Sequence, residues 1–151
     1  MSLYVVDGYN VIRRVERLRK IERGGLEPGR EALLMAVESF LARGGHEAIV
    51  VFDGSGQLNL STGPLPRQES FAGVEVIYSR RRESADEVIV QLLQEIAQGK
   101  RWNAEGEAPE VIVVTDDLGI RDDSLLLGTN TLGSELFGVM LKMPGEEARH
   151  R

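Results

Sequence analysis

Leu3-Tyr4-Val5-Val6-Asp7-Gly8 sets four apolar residues in a row before a carboxylate and a glycine. A short unbroken apolar run reads as a strand buried on both faces, and the glycine suits the tight turn that ends it. The shape recurs. Ala48-Ile49-Val50-Val51-Phe52 ends at Asp53-Gly54, and Val111-Ile112-Val113-Val114 ends at Thr115-Asp116-Asp117. Val74-Glu75-Val76-Ile77-Tyr78 supplies another strand between them. Leu34, Ala36, Val37, Phe40 and Leu41 recur at helical spacing, which predicts a helix over 31–42. Pro28 suits a first helical turn, and Gly44-Gly45 stops the helix. A second helix is predicted over 85–98, and a turn with a last helix over 125–142. Stretches 55–68 and 99–109 read as loop and polar connection. Strands alternate with helices and are apolar throughout, the pattern of an α/β fold with a mainly parallel central sheet covered on both faces. There is no internal repeat or second domain, so a single domain over 1–143 is expected, followed by a polar tail over 144–151.

Composition narrows the chemistry. With 151 residues the chain can bury a real core. It has no cysteine, which excludes disulfides and thiolate zinc sites. Only His46 and His150 carry imidazole, so a histidine-centred triad or multi-histidine zinc site is disfavoured. No apolar run approaches the roughly 20 residues of a membrane span. The first residues lead straight into a strand with no basic, apolar leader, so a cytoplasmic address is expected. The net charge of −6 argues against strong non-specific nucleic-acid binding through overall charge. Local basic clusters remain. Arg13, Arg14, Arg17, Arg19, Lys20 and Arg23 form a run that reads as a solvated face, and Arg80, Arg81 and Arg82 precede an acidic helix start.

The aspartates carry the functional signal. In parallel α/β sheets, ligands bind at the carboxyl ends of the strands. Asp7, Asp53 and the pair Asp116-Asp117 stand at three such ends. Ser84-Ala85-Asp86-Glu87 fits a capping box, which puts Asp86 in the first turn of a helix near the same edge. One aspartate after a strand is ordinary turn chemistry; four at one sheet edge point to a shared task. Converging carboxylates repel one another unless a cation joins them. Hard oxygen ligands suit Mg²⁺ or Mn²⁺, and such ions can activate water and stabilise a leaving oxygen in phosphodiester hydrolysis. Asn10 is spaced to hydrogen-bond Asp7 or to cap a helix. Thr115 is placed to hold a bound water or a phosphate, and Arg80, Arg81 and Arg82 to clamp phosphates. Tyr9 suits either base stacking or core packing; Trp102 has no assignment. Glycine-rich nucleotide-binding motifs are absent, so no nucleotide cofactor is expected.

Asp7-Gly8-Tyr9-Asn10-Val11-Ile12, Val51-Phe52-Asp53-Gly54, Ser84-Ala85-Asp86-Glu87 and Val113-Val114-Thr115-Asp116-Asp117 occur in that order. Together they resemble the YacP-like branch of the NYN domain family, within the PIN-like nuclease superfamily. The resemblance runs from Leu3 to about Lys142, and the first motif is its most specific part. It implies a PIN-like, Rossmann-like three-layer sandwich, a Mg²⁺-dependent acidic pocket and RNA cleavage leaving a 5′-phosphate and a 3′-hydroxyl. At least some members act on ribosome-associated messenger RNA. By position, Asp7, Asp53, Asp86 and Asp117 match the family's acids and Asn10 its asparagine. Asp116 stands where serine is common, so either member of the pair is a candidate ligand. Gly133-Ser134-Glu135-Leu136 resembles a late family motif, which suggests that Ser134 caps the last helix with its hydroxyl toward the pocket.

Three readings compete. The first is a metal-dependent endoribonuclease acting on single-stranded RNA, whose splayed bases can reach a narrow pocket. The second is a non-catalytic RNA- or ribosome-binding module of the same fold. The third, a small-substrate phosphatase or phosphotransferase, fails on motif: Asp7 is followed by Gly8-Tyr9 rather than by a second acid two residues on.

Overall fold

The computed structural model describes residues 2–54, 67–71, 73–80, 83–100 and 109–142. Its elements run β1 (Ser2–Asp7), α1 (Gly8–Arg14), α2 (Glu16–Glu22), α3 (Leu26–Leu41), β2 (His46–Phe52), β3 (Arg67–Phe71) and β4 (Val74–Tyr78). They continue with α4 (Ala85–Ala97), β5 (Glu110–Val114), α5 (Leu118–Leu126), β6 (Asn130–Leu132) and α6 (Ser134–Leu141). The sheet order is β3-β4-β2-β1-β5-β6. Every neighbouring pair is parallel except β3 with β4.

Strand alternation divides the core into two layers. Tyr4, Val6, Val50, Phe52, Val76 and Tyr78 face one way, against Val11 and Ile12 of α1, Leu18 of α2, Leu33 and Val37 of α3, and Phe137 of α6. Leu3, Val5, Val51, Ile77 and Val113 face the other way, against Val88, Ile89 and Leu92 of α4 and Ile120 of α5. Both faces are apolar because both are covered, which is why the central strands lack a polar stripe. The result is the three-layer α/β sandwich expected. Each fully buried Leu, Ile or Val contributes about 1.5–3 kcal/mol relative to exposure.

The four expected strands are β1, β2, β4 and β5. Two others escape a pattern reading. β3 begins in the last two residues of the stretch read as a loop over 55–68 and continues to Phe71, and β6 lies inside the region read as a turn and helix, after the unforeseen α5. Both are edge strands, and β6 has only three residues. Edge strands need no continuous apolar run, since one side is never covered by a neighbour. The basic run 13–23 lies on α1 and α2, whose buried faces carry Ile12 and Leu18. The remainder of the 55–68 loop, Arg81, Arg82, Trp102, His150 and the tail over 144–151 lie outside the described residues. Among the described residues, no helix is long and apolar enough to cross a membrane.

The chain leaves β1 toward the α1–α3 face and leaves β5 toward the α5 face. The crevice at the carboxyl ends of these adjacent strands is therefore a topological switch point, the place where such sheets bind ligands.

Candidate active site

Asp7 ends β1 in that crevice, only 8% exposed. Thr115, the first residue beyond β5, donates its hydroxyl to Asp7 Oδ2 at 2.9 Å. Thr115 Oγ1 in turn accepts the Asp117 backbone N–H at 3.1 Å. Burial drives the Asp7 carboxyl up to about 6, with Asp86 and Asp117 adding to the rise, while the Thr115 bond and Arg13 oppose it. Asp86 lies in the first turn of α4, whose N-cap Ser84 accepts the Glu87 N–H as the capping box predicts. Its carboxyl is also raised, by burial first and then by the charges of Asp117 and Asp53. Asp53 follows β2, with its Oδ1 3.5 Å from the Ser79 hydroxyl. Ser79 is buried and also accepts the Gly54 N–H at 2.9 Å, joining the ends of β2 and β4. Asp117 is the N-cap of α5, its Oδ1 taking the Ile120 N–H at 2.9 Å.

Asp7, Asp53, Asp86 and Asp117 share one open cleft of about 450 Å³ with Tyr9, Asn10, Arg13, Arg14 and Ala85. Asp116 does not line it. Its Oδ1 takes the Ser134 N–H at 3.2 Å, and its Oδ2 lies 3.7 Å from Arg14 Nε. Of the two adjacent acids, the fold turns Asp117 toward the other carboxylates and commits Asp116 to docking α6.

Several expected contacts take a different form. Asn10 does not bond Asp7; its Oδ1 accepts the Asp116 N–H at 3.1 Å and the Ser134 hydroxyl at 2.6 Å. It ties α1 to the loop after β5 and to α6. Ser134 does not cap α6; Gly133 is the N-cap, and the fully buried Ser134 hydroxyl is spent on Asn10. Thr115 is likewise fully buried, so its hydroxyl meets the Asp7 carboxylate and the Asp117 backbone rather than solvent. Tyr9 is a core residue: its ring centroid is 5.1 Å from that of Phe52, and its hydroxyl accepts from Arg30 at 3.0 Å. Arg80 forms a 3.1 Å ion pair with the buried Glu83, so its guanidinium is held by a carboxylate rather than left for phosphate. Among the described residues, the cations that line the cleft are Arg13 and Arg14, each in a long, largely exposed pair, with Glu22 at 3.9 Å and Asp116 at 3.7 Å. Arg13 lies over the Tyr9 ring at 5.1 Å. They were hidden in a basic run with no visible periodic signal; their position directly after the Asp7–Ile12 motif, one to two turns from Asp7, was the available clue.

The fold has known counterparts. The fold matches a crystal structure of Rae1 (YacP) from Bacillus subtilis with a TM-score of 0.72 at 24% identity, covering 99% of this chain and 79% of that one. A mutant of the same protein matches with a TM-score of 0.70 at 25% identity, covering 93% and 75%. In sequence, the chain is 33% identical over 94 residues to "Uncharacterized protein YacP" of Bacillus subtilis (strain 168). That match covers 62% of this chain and about half, 52%, of the relative. The model of the YacP-like NYN domain matches residues 4–150. With this match spanning nearly all of its length, the chain belongs to the YacP-like NYN family and carries a nuclease-like domain.

Proposed function

We propose that this chain is a metal-dependent endoribonuclease that hydrolyses single-stranded RNA in the cleft of Asp7, Asp53, Asp86 and Asp117. The observation that carries the reading is the convergence of these four acids on one cleft, where burial first, and neighbouring carboxylates after it, raise Asp7 to about 6 and raise Asp86. A cation among them relieves their repulsion, and perturbed carboxylates gather at working sites. The all-oxygen donor set fits Mg²⁺ or Mn²⁺. Among the described residues no group of three acids forms a ready-made cage. Mg²⁺ commonly binds one or two carboxylates and completes its shell with waters and substrate phosphate oxygens, so an open cluster of this kind suits it. When bound, the ion supplies an activated water and a countercharge for the departing oxygen.

The protein's own part is positioning. Thr115 holds the Asp7 carboxylate, Ser79 braces Asp53, and the caps of α4 and α5 set Asp86 and Asp117. Arg13 and Arg14 put positive charge on the cleft wall, where a phosphate is attracted. The Asp7 proton must leave before its carboxylate serves as a ligand, and the cation itself favours the ionised form, so activity should rise with pH over a range at or below about 6. The family supports a nucleic-acid substrate. Ribosome-associated messenger RNA in the cytoplasm is the setting that the family resemblance favours.

Incubating a labelled single-stranded RNA with the protein and Mn²⁺ or Mg²⁺, then mapping product ends, tests the reading. The expected products carry a 5′-phosphate and a 3′-hydroxyl and disappear on chelation. No cleavage with or without ribosomes, together with no metal binding by calorimetry, supports the RNA- or ribosome-binding module instead.

A further inference from the structure

A second groove, of about 600 Å³, opens between α4 and α5 and shares Asp86 and Asp117 with the cleft. Its α4 wall is the stripe Glu87, Val90, Gln91 and Gln94, spaced along one helix face; α5 adds Ile120 and Asp123. Ile120 is buried and Val90 half-buried, forming an apolar floor, while Glu87, Gln91, Gln94 and Asp123 are exposed around it. No lysine or arginine lines this groove among the described residues, whereas the opposite side of the carboxylates carries Arg13 and Arg14.

We propose that the α4–α5 groove is a subsite for one unpaired nucleobase next to the scissile phosphate, with the strand's backbone running on the α1 side. The proposal rests on the nuclease reading of the cleft. Two observations select the occupant. The groove is continuous with the acidic cleft through Asp86 and Asp117, so a group entering it is covalently close to a phosphate held there. Its charge then discriminates between the parts of a nucleotide. Phosphate is repelled by Glu87 and Asp123 and attracted by Arg13 and Arg14, which sends the backbone toward α1. A base is neutral. Its face suits Val90 and Ile120, and its edge suits the amides of Gln91 and Gln94, which both donate and accept. Carboxylates accept hydrogen bonds from exocyclic amines such as cytosine N4 and have nothing to offer the O4 acceptor of uracil. The groove therefore favours an amine-bearing base, and it requires that base to be out of a duplex.

The test is binding of short single-stranded RNAs, with Ca²⁺ replacing Mg²⁺, in which one abasic nucleotide is moved along the strand. Wild type should lose about tenfold in affinity at one position, the effect of removing one base face from an apolar floor. Gln94→Trp, a substitution on the exposed wall, and Val90→Trp, nearer the floor, should each bind the intact strand as weakly as wild type binds the abasic one. Asp123→Asn should bring cytosine and uracil at that position to nearly equal affinity. An abasic loss that persists unchanged in the folded Gln94→Trp variant overturns the groove assignment, as does a scan with no sensitive position. RNA cleavage without a sensitive position overturns the groove and spares the nuclease reading. A sensitive position with no cleavage in Mg²⁺ or Mn²⁺ does the reverse, and no RNA binding at all overturns both.

Discussion

Thr115 and Asp7 stand at the ends of adjacent parallel strands, and the threonine hydroxyl donates a 2.9 Å hydrogen bond to the aspartate. Because Thr115 Oγ1 also accepts the Asp117 N–H, one buried hydroxyl sets the position of two acids. The bond favours the ionised form of Asp7 against the burial that disfavours it.

Thr115→Val keeps the shape of the side chain and removes both bonds. The Asp7 carboxyl should then titrate above about 6, shifting the acid limb of the pH–activity profile to higher pH. Stability should fall by about 1–3 kcal/mol, since the Asp117 N–H loses its partner and Asp7 a donor. Thr115→Ser should restore both readouts. A profile unmoved by Thr115→Val contradicts the positioning role.

Asp7 itself should destabilise the metal-free protein at neutral pH. Its carboxyl is raised in the folded state, so the folded chain holds the proton more tightly than the unfolded chain. At pH below the ordinary value of 3.8 both states are protonated and there is no cost. As pH rises from there through about 6, stability falls, and above that range the full cost remains. Asp7→Asn, uncharged throughout, should be more stable than wild type at pH 8 by about 2–3 kcal/mol, losing that advantage toward pH 4. Denaturant unfolding at the two pH values checks this. Adding Mn²⁺ should raise the melting temperature of wild type and leave that of the variant unchanged.

The adjacent acids should separate by function. Asp117→Asn retains an oxygen to cap α5 and loses the charge in the cleft, so it should abolish the Mn²⁺-dependent rise in melting temperature. Asp116→Asn loses mainly the exposed pair with Arg14, worth about 0–1 kcal/mol, and should keep the metal response. The opposite pattern would assign the ligand to Asp116.

Gly8 follows Asp7 because a side chain there has no room: a Cβ on Gly8 would overlap the ring of the fully buried Phe52. Gly8→Ala should cost about 1–3 kcal/mol through overpacking. Phe52→Leu in the same chain should recover part of that loss, a coupling that a double-mutant cycle measures directly.

Much of this site was legible from apolar runs and from the residues that end them. β1, β2, β4 and β5 are covered on both faces, so burial wrote itself into unbroken hydrophobic stretches, and the acids that end β1, β2 and β5 fall at one sheet edge by topology alone. Ser84 and Glu87 carried a local capping signal that needs no tertiary contact. What escaped depends on neighbours far along the chain. Asn10 reads as a partner for Asp7 on spacing, yet it lies opposite Asp116 and Ser134, 106 and 124 residues away. Arg80 reads as an available cation until the buried Glu83 is seen beside it. Arg13 and Arg14 look like solvated charge until α1 is docked against the sheet. The short edges β3 and β6 leave no pattern, because partnership with one neighbour demands little of their side chains.

The most direct measurement of the central claim is cleavage of a labelled single-stranded RNA with Mg²⁺ or Mn²⁺ by wild type, Asp7→Asn and Asp86→Asn, each confirmed folded by its melting curve. The account predicts metal-dependent cutting by wild type and none by either variant. Equal cutting by all three, or a folded wild type that stays inactive with both metals and with ribosomes added, would contradict the assignment of the acidic cleft as a nuclease site.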